Sequence, residues 1–164
     1  MQLNKLQDLL VHNLRDTYSA ENQALTGLQQ MEKAAVHAEL KAAFREHHAQ
    51  SVEQVKRLEK VFEILGKSPK GVHCKGMQGL VAEAKEMIEE KGDPDVIDAG
   101  LISSAQHVEH YEIASYGTAA TFAKLLGQTD VLKLLVQTLE EEKAADEKLT
   151  TLAKQVINPE AAQQ

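Results

Sequence analysis

The chain has 164 residues, a size typical of a single domain with a substantial core. Its 25 acidic and 18 basic side chains give a net charge of −7, which argues against nonspecific nucleic-acid binding. Three Pro, nine Gly and a 43% hydrophobic share favour helix and exclude a disordered acidic chain. We find no run near the ~20 apolar residues of a membrane span, and the N-terminal segment lacks the pattern of a secretory signal.

The single cysteine, Cys74, cannot form an internal disulfide, which favours a reducing compartment and predicts a cytoplasmic protein. Phosphate-loop, dinucleotide, serine-hydrolase and zinc-ribbon motifs are absent from the sequence. Cys74 lies beside His73 and Lys75 at a predicted helix start, where a thiol pKa is lowered. Two interpretations of Cys74 remain open: a redox thiol, and a cysteine packed in a connector.

Breaker residues divide the chain into four long helical stretches and one short one. Gly66 ends the second long helix, Asp93 and Pro94 cap the start of the third, and Gly127 ends it. The break near 35–38 is inferred from a change of apolar face. The predicted helices are Leu3–Ala34, Glu39–Leu65, Met77–Lys91 (the short one), Pro94–Leu126 and Thr129–Val156.

The connection between the second and third long helices is long for a compact domain, whereas the other two connections are short. Such a connection crosses from one end of a bundle to the other, as in ferritin-like folds. The sequence therefore predicts an all-α protein, a ferritin-like four-helix bundle with a long crossover that carries a short extra helix. We expect residues 1–157 to form this single domain and residues 158–164 to be a flexible, frayed tail.

Each long helix has an apolar stripe at three/four spacing that polar residues interrupt near its middle. In a bundle these midpoints lie at similar heights, so the polar residues converge on one layer. Burial of several unpaired carboxylates is prohibitive without protons, cations or water. The interrupting residues are Glu21 in the first helix, His47, Gln50 and Gln54 in the second, Glu109 and Glu112 in the third, and Glu142 and Asp146 in the fourth.

Oxygen ligands with a histidine and no thiolate suit iron or manganese, and carboxylates can bridge two ions. Di-iron bundles combine single glutamates with pairs at i, i+3 spacing, which Glu109 and Glu112 share. We therefore predict metal ligands for two ions among Glu21, His47, Gln50, Glu109, Glu112, Glu142 and Asp146. Glu112 is a candidate bridge, and Asp146 a ligand or an acceptor behind the ligands.

Plainer interpretations accompany each of these residues. A lone Glu in a stripe usually packs its stem while its carboxylate reaches water, and a lone inward His is usually a hydrogen-bonded core residue. The run Glu140–Glu142 is interpreted as solvated except for Glu142. His107 and His110 share a face that is turned away from the stripe. We interpret them as surface residues, as hydrogen-bond partners of the ligands or as interface residues.

The segments 16–21 (DTYSAE), 105–118 (AQHVEHYEIASYGT) and 138–143 (TLEEEK), with Asp146, resemble the YciF/YciE-type ferritin-like stress proteins of bacteria. The resemblance extends over nearly the whole chain, about residues 6–153. It implies a rubrerythrin-like bundle, a homodimer and an association with stress responses, and it brings no established reaction.

One departure from the family concerns Gln50, where the family usually has an acid. An amide is a weak neutral ligand, so Glu53 would have to rotate inward, for instance through a π-bulge, or the site is weakened. Two functions stay open: a protein with two iron or manganese ions, and a metal-free dimeric stress protein. In the second, Tyr18 and Tyr116 would join a buried hydrogen-bond network; a storage cage is a weaker third idea.

Overall fold

The computed structural model describes residues 3–164, and every regular element within them is helical. Four long helices form a bundle, and a shorter helix lies in the crossover. Residues 1 and 2, which the predicted domain includes, lie outside the described range. In chain order the elements are α1 (Leu6–Ala34), α2 (Ala38–Leu65), α3 (Lys75–Glu89), α4 (Pro94–Leu125), α5 (Thr129–Leu152), a π-helix (Ala153–Ile157) and α6 (Asn158–Ala161).

The residues at the ends of the helices confirm the predicted start and stop signals. Gly66 adopts φ 60° at the end of α2, a left-handed conformation that glycine takes without steric cost. Asp93 caps α4 by accepting from the N–H of Asp95, and Pro94 follows at the first helical position. The break between α1 and α2 falls at residues 35–37, within the predicted interval.

The ends of the chain differ from prediction. The first helix begins at Leu6 rather than Leu3, with Lys5 at its N-cap. The last long α-helix ends at Leu152, where the backbone widens into the π-helix and continues helically to Ala161. Residues 158–161, which belong to the expected flexible tail, form the short helix α6. Ile157 is 1% exposed, so its burial fixes the start of that last segment.

Two contacts at opposite ends show that the crossover traverses the bundle. Near the start of α1, Arg15 Nε donates to the carbonyl of Ser68, just after α2 ends. At the other end, buried Asp98 of α4 accepts from the N–H groups of Val36 and His37 in the α1–α2 turn at 2.7–3.1 Å. Helix α4 therefore starts beside that turn, and the ferritin-like order of helices is confirmed.

The two larger apolar cores of the bundle are separated by a buried polar layer. One core lies toward the α1–α2 turn and includes Met31, Phe44 and Leu149, while the other lies at the far end and includes Leu14 and Phe62. Burial of these apolar side chains stabilises the bundle on both sides of the layer. The buried polar side chains of the layer region are Thr17, Glu21, His47, Ser51, Gln54, Glu109, Glu112, Thr138 and Glu142.

Helix α3 packs on α1 and α4, where Met77 and Cys74 complete a small third core. The fit is close: a Cβ on Gly76 would lie 2.6 Å from Tyr111 Cε2, so only glycine permits this approach. Across residues 3–164, none of the helices combines the length and apolar character that a bilayer crossing requires.

Candidate metal centre

Three helices bring four potential ligands together in the polar layer. His47 comes from α2, Glu109 and Glu112 from successive turns of α4, and Glu142 from α5. One ligand atom from each lies within 4.8 Å of all the others, and all four residues are buried. The i, i+3 spacing of Glu109 and Glu112 puts both carboxylates on the same inward face.

The polar atoms of this cluster lack hydrogen-bond partners. His47 Nε2 lies 3.0 Å from Glu109 Oε1, where the geometry does not make a hydrogen bond, and 3.6 Å from Glu142 Oε2, which is too far for one. Both carboxylate oxygens of Glu109, Glu112 and Glu142 are likewise unpartnered. Buried oxygens without hydrogen-bond partners are rare in native proteins, because their burial is unfavourable unless a cation, a proton or a water molecule binds them.

Glu21 extends the cluster from α1. It is fully buried, its Oε1 accepts a 2.5 Å hydrogen bond from the Tyr116 hydroxyl, and its Oε2 has no partner. Burial, reinforced by the charge of Glu142, raises the pKa of Glu21 to about 8. The pKa of Tyr116 is raised as well, by burial and by the adjacent Glu21 carboxylate, so this phenol stays a hydrogen-bond donor.

The two α4 glutamates are also difficult to ionise in the absence of a cation. Burial raises the pKa of Glu109 well above its ordinary value, and the neighbouring Glu142 carboxyl adds to the effect. Burial likewise raises the pKa of Glu112, followed by the charges of Glu21 and Glu142. The metal-free layer therefore retains protons near neutral pH, and a cation can take their place.

The donor set fits a hard to borderline divalent cation. Carboxylate oxygens with one imidazole nitrogen suit iron and manganese, and the cluster contains no thiolate that would favour softer metals. The residues that could hold such ions are Glu21, His47, Glu109, Glu112 and Glu142.

Two residues expected among the ligands lie outside this set. Gln50 is half-buried and lines a cavity beside His47 and Glu109, without belonging to the four clustered groups. Asp146 is not one of the four clustered groups: it accepts from Gln106 Nε2 at 3.0 Å and lies 3.3 Å from His110 Nε2. Its role as a ligand, or as an acceptor behind the ligands, stays a prediction.

The idea that Glu53 rotates inward is wrong. Helix α2 is regular there, and Glu53 is exposed and accepts from Lys56 Nζ at 2.7 Å. The one π-helix of residues 3–164 lies instead at the end of the chain. No carboxylate of α2 therefore replaces the acid missing at Gln50.

An ion pair between α2 and α5 borders the polar layer. The sequence pattern did not predict it. The Arg57 guanidinium donates two hydrogen bonds to Glu141, at 2.8 and 3.0 Å, and Gln54 donates to the same carboxylate. Burial alone would raise the pKa of Glu141, but these hydrogen bonds outweigh it and the pKa is lowered. Glu141 is half-buried, so its assignment to a solvated face was wrong. The sequence did contain a signal for this ion pair: Arg57 lies one turn beyond Gln54 in α2 and therefore shares its face.

Cys74 is a packed structural residue. Its sulfur accepts from the N–H of Met77 to cap α3 and lies 3.0 Å from the Tyr111 hydroxyl, which donates to Asp16. Burial raises the pKa of this thiol, the opposite of what a reactive cysteine needs. The structure thus favours the packed cysteine over the redox thiol. Tyr18 is also outside the layer and donates to Glu59 at the surface.

Comparison with known proteins gives consistent matches over the full length. Protein YciF of Escherichia coli strain K12 is 44% identical over 162 residues, 98% of each chain. The crystal structure of that stress protein superposes with a TM-score of 0.92 over 95% of this chain and 99% of the other.

A ferritin-like, diiron-carboxylate protein of Bacillus anthracis strain Ames superposes with a TM-score of 0.70 at 16% identity, over 92% of this chain and 99% of that one. This distant likeness concerns the fold, which is the ferritin-like bundle. The family described as "Domain of unknown function (DUF892)" matches residues 5–162, and the chain therefore belongs to the DUF892 family, with YciF as a homologue.

Proposed function

We propose that this protein is a stress-response protein that binds two iron or manganese ions in its polar layer. The supporting observation is the cluster of His47, Glu109, Glu112 and Glu142, whose buried ligand atoms lie within 4.8 Å of one another without hydrogen-bond partners. With Glu21 the layer contains four carboxylates, whose charges balance two divalent cations. The stress role follows from the homologue, which is described as a stress protein.

Glu112 is fully buried and its carboxyl feels the charges of Glu21, Glu142 and Glu109, so it would be the candidate bridge between the ions. When bound, the ions supply one-electron or peroxide chemistry of the kind that opposes oxidative stress. The protein contributes geometry: Tyr116 holds one oxygen of Glu21, and the apolar cores on both sides exclude bulk water. The raised pKa values mean that Glu21, Glu109 and Glu112 release protons as cations enter.

The test is metal analysis of protein purified aerobically without chelator, followed by anaerobic Fe(II) titration. We expect close to two equivalents of iron or manganese and a thermal midpoint that rises with metal. Glu112→Gln should lose this uptake, while Glu140→Gln, at a side chain 63% exposed, should retain it. Less than about a tenth of an equivalent of transition metal, with no uptake on titration, contradicts the proposal.

The second candidate is a metal-free dimeric stress protein with a protonated polar network. The observation that favours it is the raised pKa of Glu21 and Glu112, which lets neutral carboxyls occupy the layer. It predicts a thermal midpoint that responds to neither iron, manganese nor chelator. In both candidates we propose a cytoplasmic homodimer, which light scattering distinguishes from a monomer and from a large storage shell.

A further inference from the structure

A cavity of about 140 Å³ lies between α2 and α5 and reaches the polar layer. Its inner wall includes His47 and Glu109, two of the clustered groups, which are 5% and 0% exposed and have unpartnered polar atoms. Glu46 and Lys148 lie at its mouth. The remaining lining residues are Ala43, Phe44, Gln50, Ala144, Ala145 and Leu149.

An exposed ion pair lies at the mouth of this cavity. Lys148 Nζ donates to Glu46 Oε2 at 2.5 Å, and the two side chains are 50% and 67% exposed. Ion pairs this exposed contribute little to stability and exchange readily with solvent. An arriving cation can therefore displace the lysine and take the Glu46 carboxylate as its first protein ligand.

Polar groups continue inward from that carboxylate at a helical spacing. Gln50 follows Glu46 by four residues on α2, so the two side chains share a face, and His47 and Glu109 lie beyond. An amide oxygen binds a divalent cation more weakly than a carboxylate does, because it has no net charge. A neutral Gln50 at this point lets a cation pass, whereas an acid there would retain it.

We propose that this cavity is the port by which a divalent cation enters the metal centre, with Glu46 as the outer ligand and Gln50 as the intermediate one. The inference rests on the proposed metal function and adds a route and two residues to it. Alanines at 144 and 145 keep the passage open, since larger side chains there would fill it.

The test follows the rate at which chelator-treated protein takes up cobalt(II), by visible absorption in a stopped-flow instrument. Glu46→Gln should slow loading about fivefold and Lys148→Gln should accelerate it by a similar factor, with both effects weakened by salt. Ala145→Leu should load cobalt more slowly than either charge variant, because the larger side chain fills the passage. All three should reach the final absorbance of the parent, because the residues proposed to hold the ions in the metal centre, Glu21, His47, Glu109, Glu112 and Glu142, are unchanged.

Ala42→Leu is the matched control, since Ala42 is exposed on α2 and outside the cavity lining. Equal loading rates in the parent, the two charge variants and Ala145→Leu, at equal final binding, would overturn the port. Absence of cobalt binding in the parent is a different result, which defeats the metal function itself. Should Ala145→Leu fail to fold, the two surface variants decide the question alone.

Discussion

The metal-free protein should lose stability as pH rises through neutrality, and Glu21 supplies the sharpest case. Burial and the charge of Glu142 raise the pKa of Glu21 from 4.5 to about 8 in the folded state. The folded protein then binds this proton more tightly than the unfolded chain does. Its contribution to stability is complete below pH 4.5 and is lost as pH rises to about 8.

The size of this stability change follows from the difference between the pKa values of Glu21 in the unfolded and the folded protein. The interval from 4.5 to about 8, at about 1.4 kcal/mol per pH unit, corresponds to ~5 kcal/mol at most. Glu21→Gln removes the ionisation but keeps an oxygen for the Tyr116 hydroxyl. Relative to the parent, the variant should therefore gain about 3 kcal/mol of unfolding free energy between about pH 5 and about pH 8.

Urea unfolding followed by circular dichroism, with chelator present, measures this difference across the pH range. Glu140→Gln, at an exposed side chain, serves as the control and should follow the parent at every pH. If the parent and Glu21→Gln show the same pH dependence, Glu21 titrates like an exposed carboxyl and the reasoning is refuted. Saturating metal should reverse the slope, because ligands bind cations only after losing protons.

Three further predictions concern stability and reactivity. Asp98→Ala should lower the unfolding free energy by about 3 kcal/mol in urea melts, because it leaves N–H groups of the α1–α2 turn without their charged acceptor. Gly76→Ala should destabilise by about 1–3 kcal/mol through the clash with Tyr111, whereas Gly79→Ala, with open space around it, should not. Cys74 should react with a thiol reagent only on unfolding, since it is 0% exposed and its thiol pKa is raised; rapid native labelling would contradict this.

The sequence predicted the bundle because each long helix has one inward-facing stripe, and this periodicity is a property of one segment alone. Glu21, Glu109 and Glu142 stand where apolar residues would otherwise continue the stripe, and each is 0% exposed. The crossover could also be inferred from connection length. Such information is local, and a single sequence contains it.

Contacts between helices could not be obtained in this way. Asp146 follows Glu142 by four residues, which rotates it slightly off the stripe, enough for it to meet Gln106 of α4 instead of the cluster. The pairing of Arg57 with Glu141 depends on how α2 and α5 approach each other. Periodicity gives the face of a residue, whereas its partner depends on the neighbouring helix.

The cost of the polar layer is itself an argument for binding. Ionising Glu21 alone costs up to ~5 kcal/mol in the metal-free protein, comparable to what two or three buried leucines contribute. The adjoining cores show that this bundle accommodates leucine readily at such positions, as at Leu14 and Leu28. Apolar residues at these positions would make the protein more stable than the polar layer does. Retaining a layer that lowers stability is typical of a functional site. The stability gained by Glu21→Gln and the metal uptake lost by Glu112→Gln should therefore be two results of one arrangement of charges.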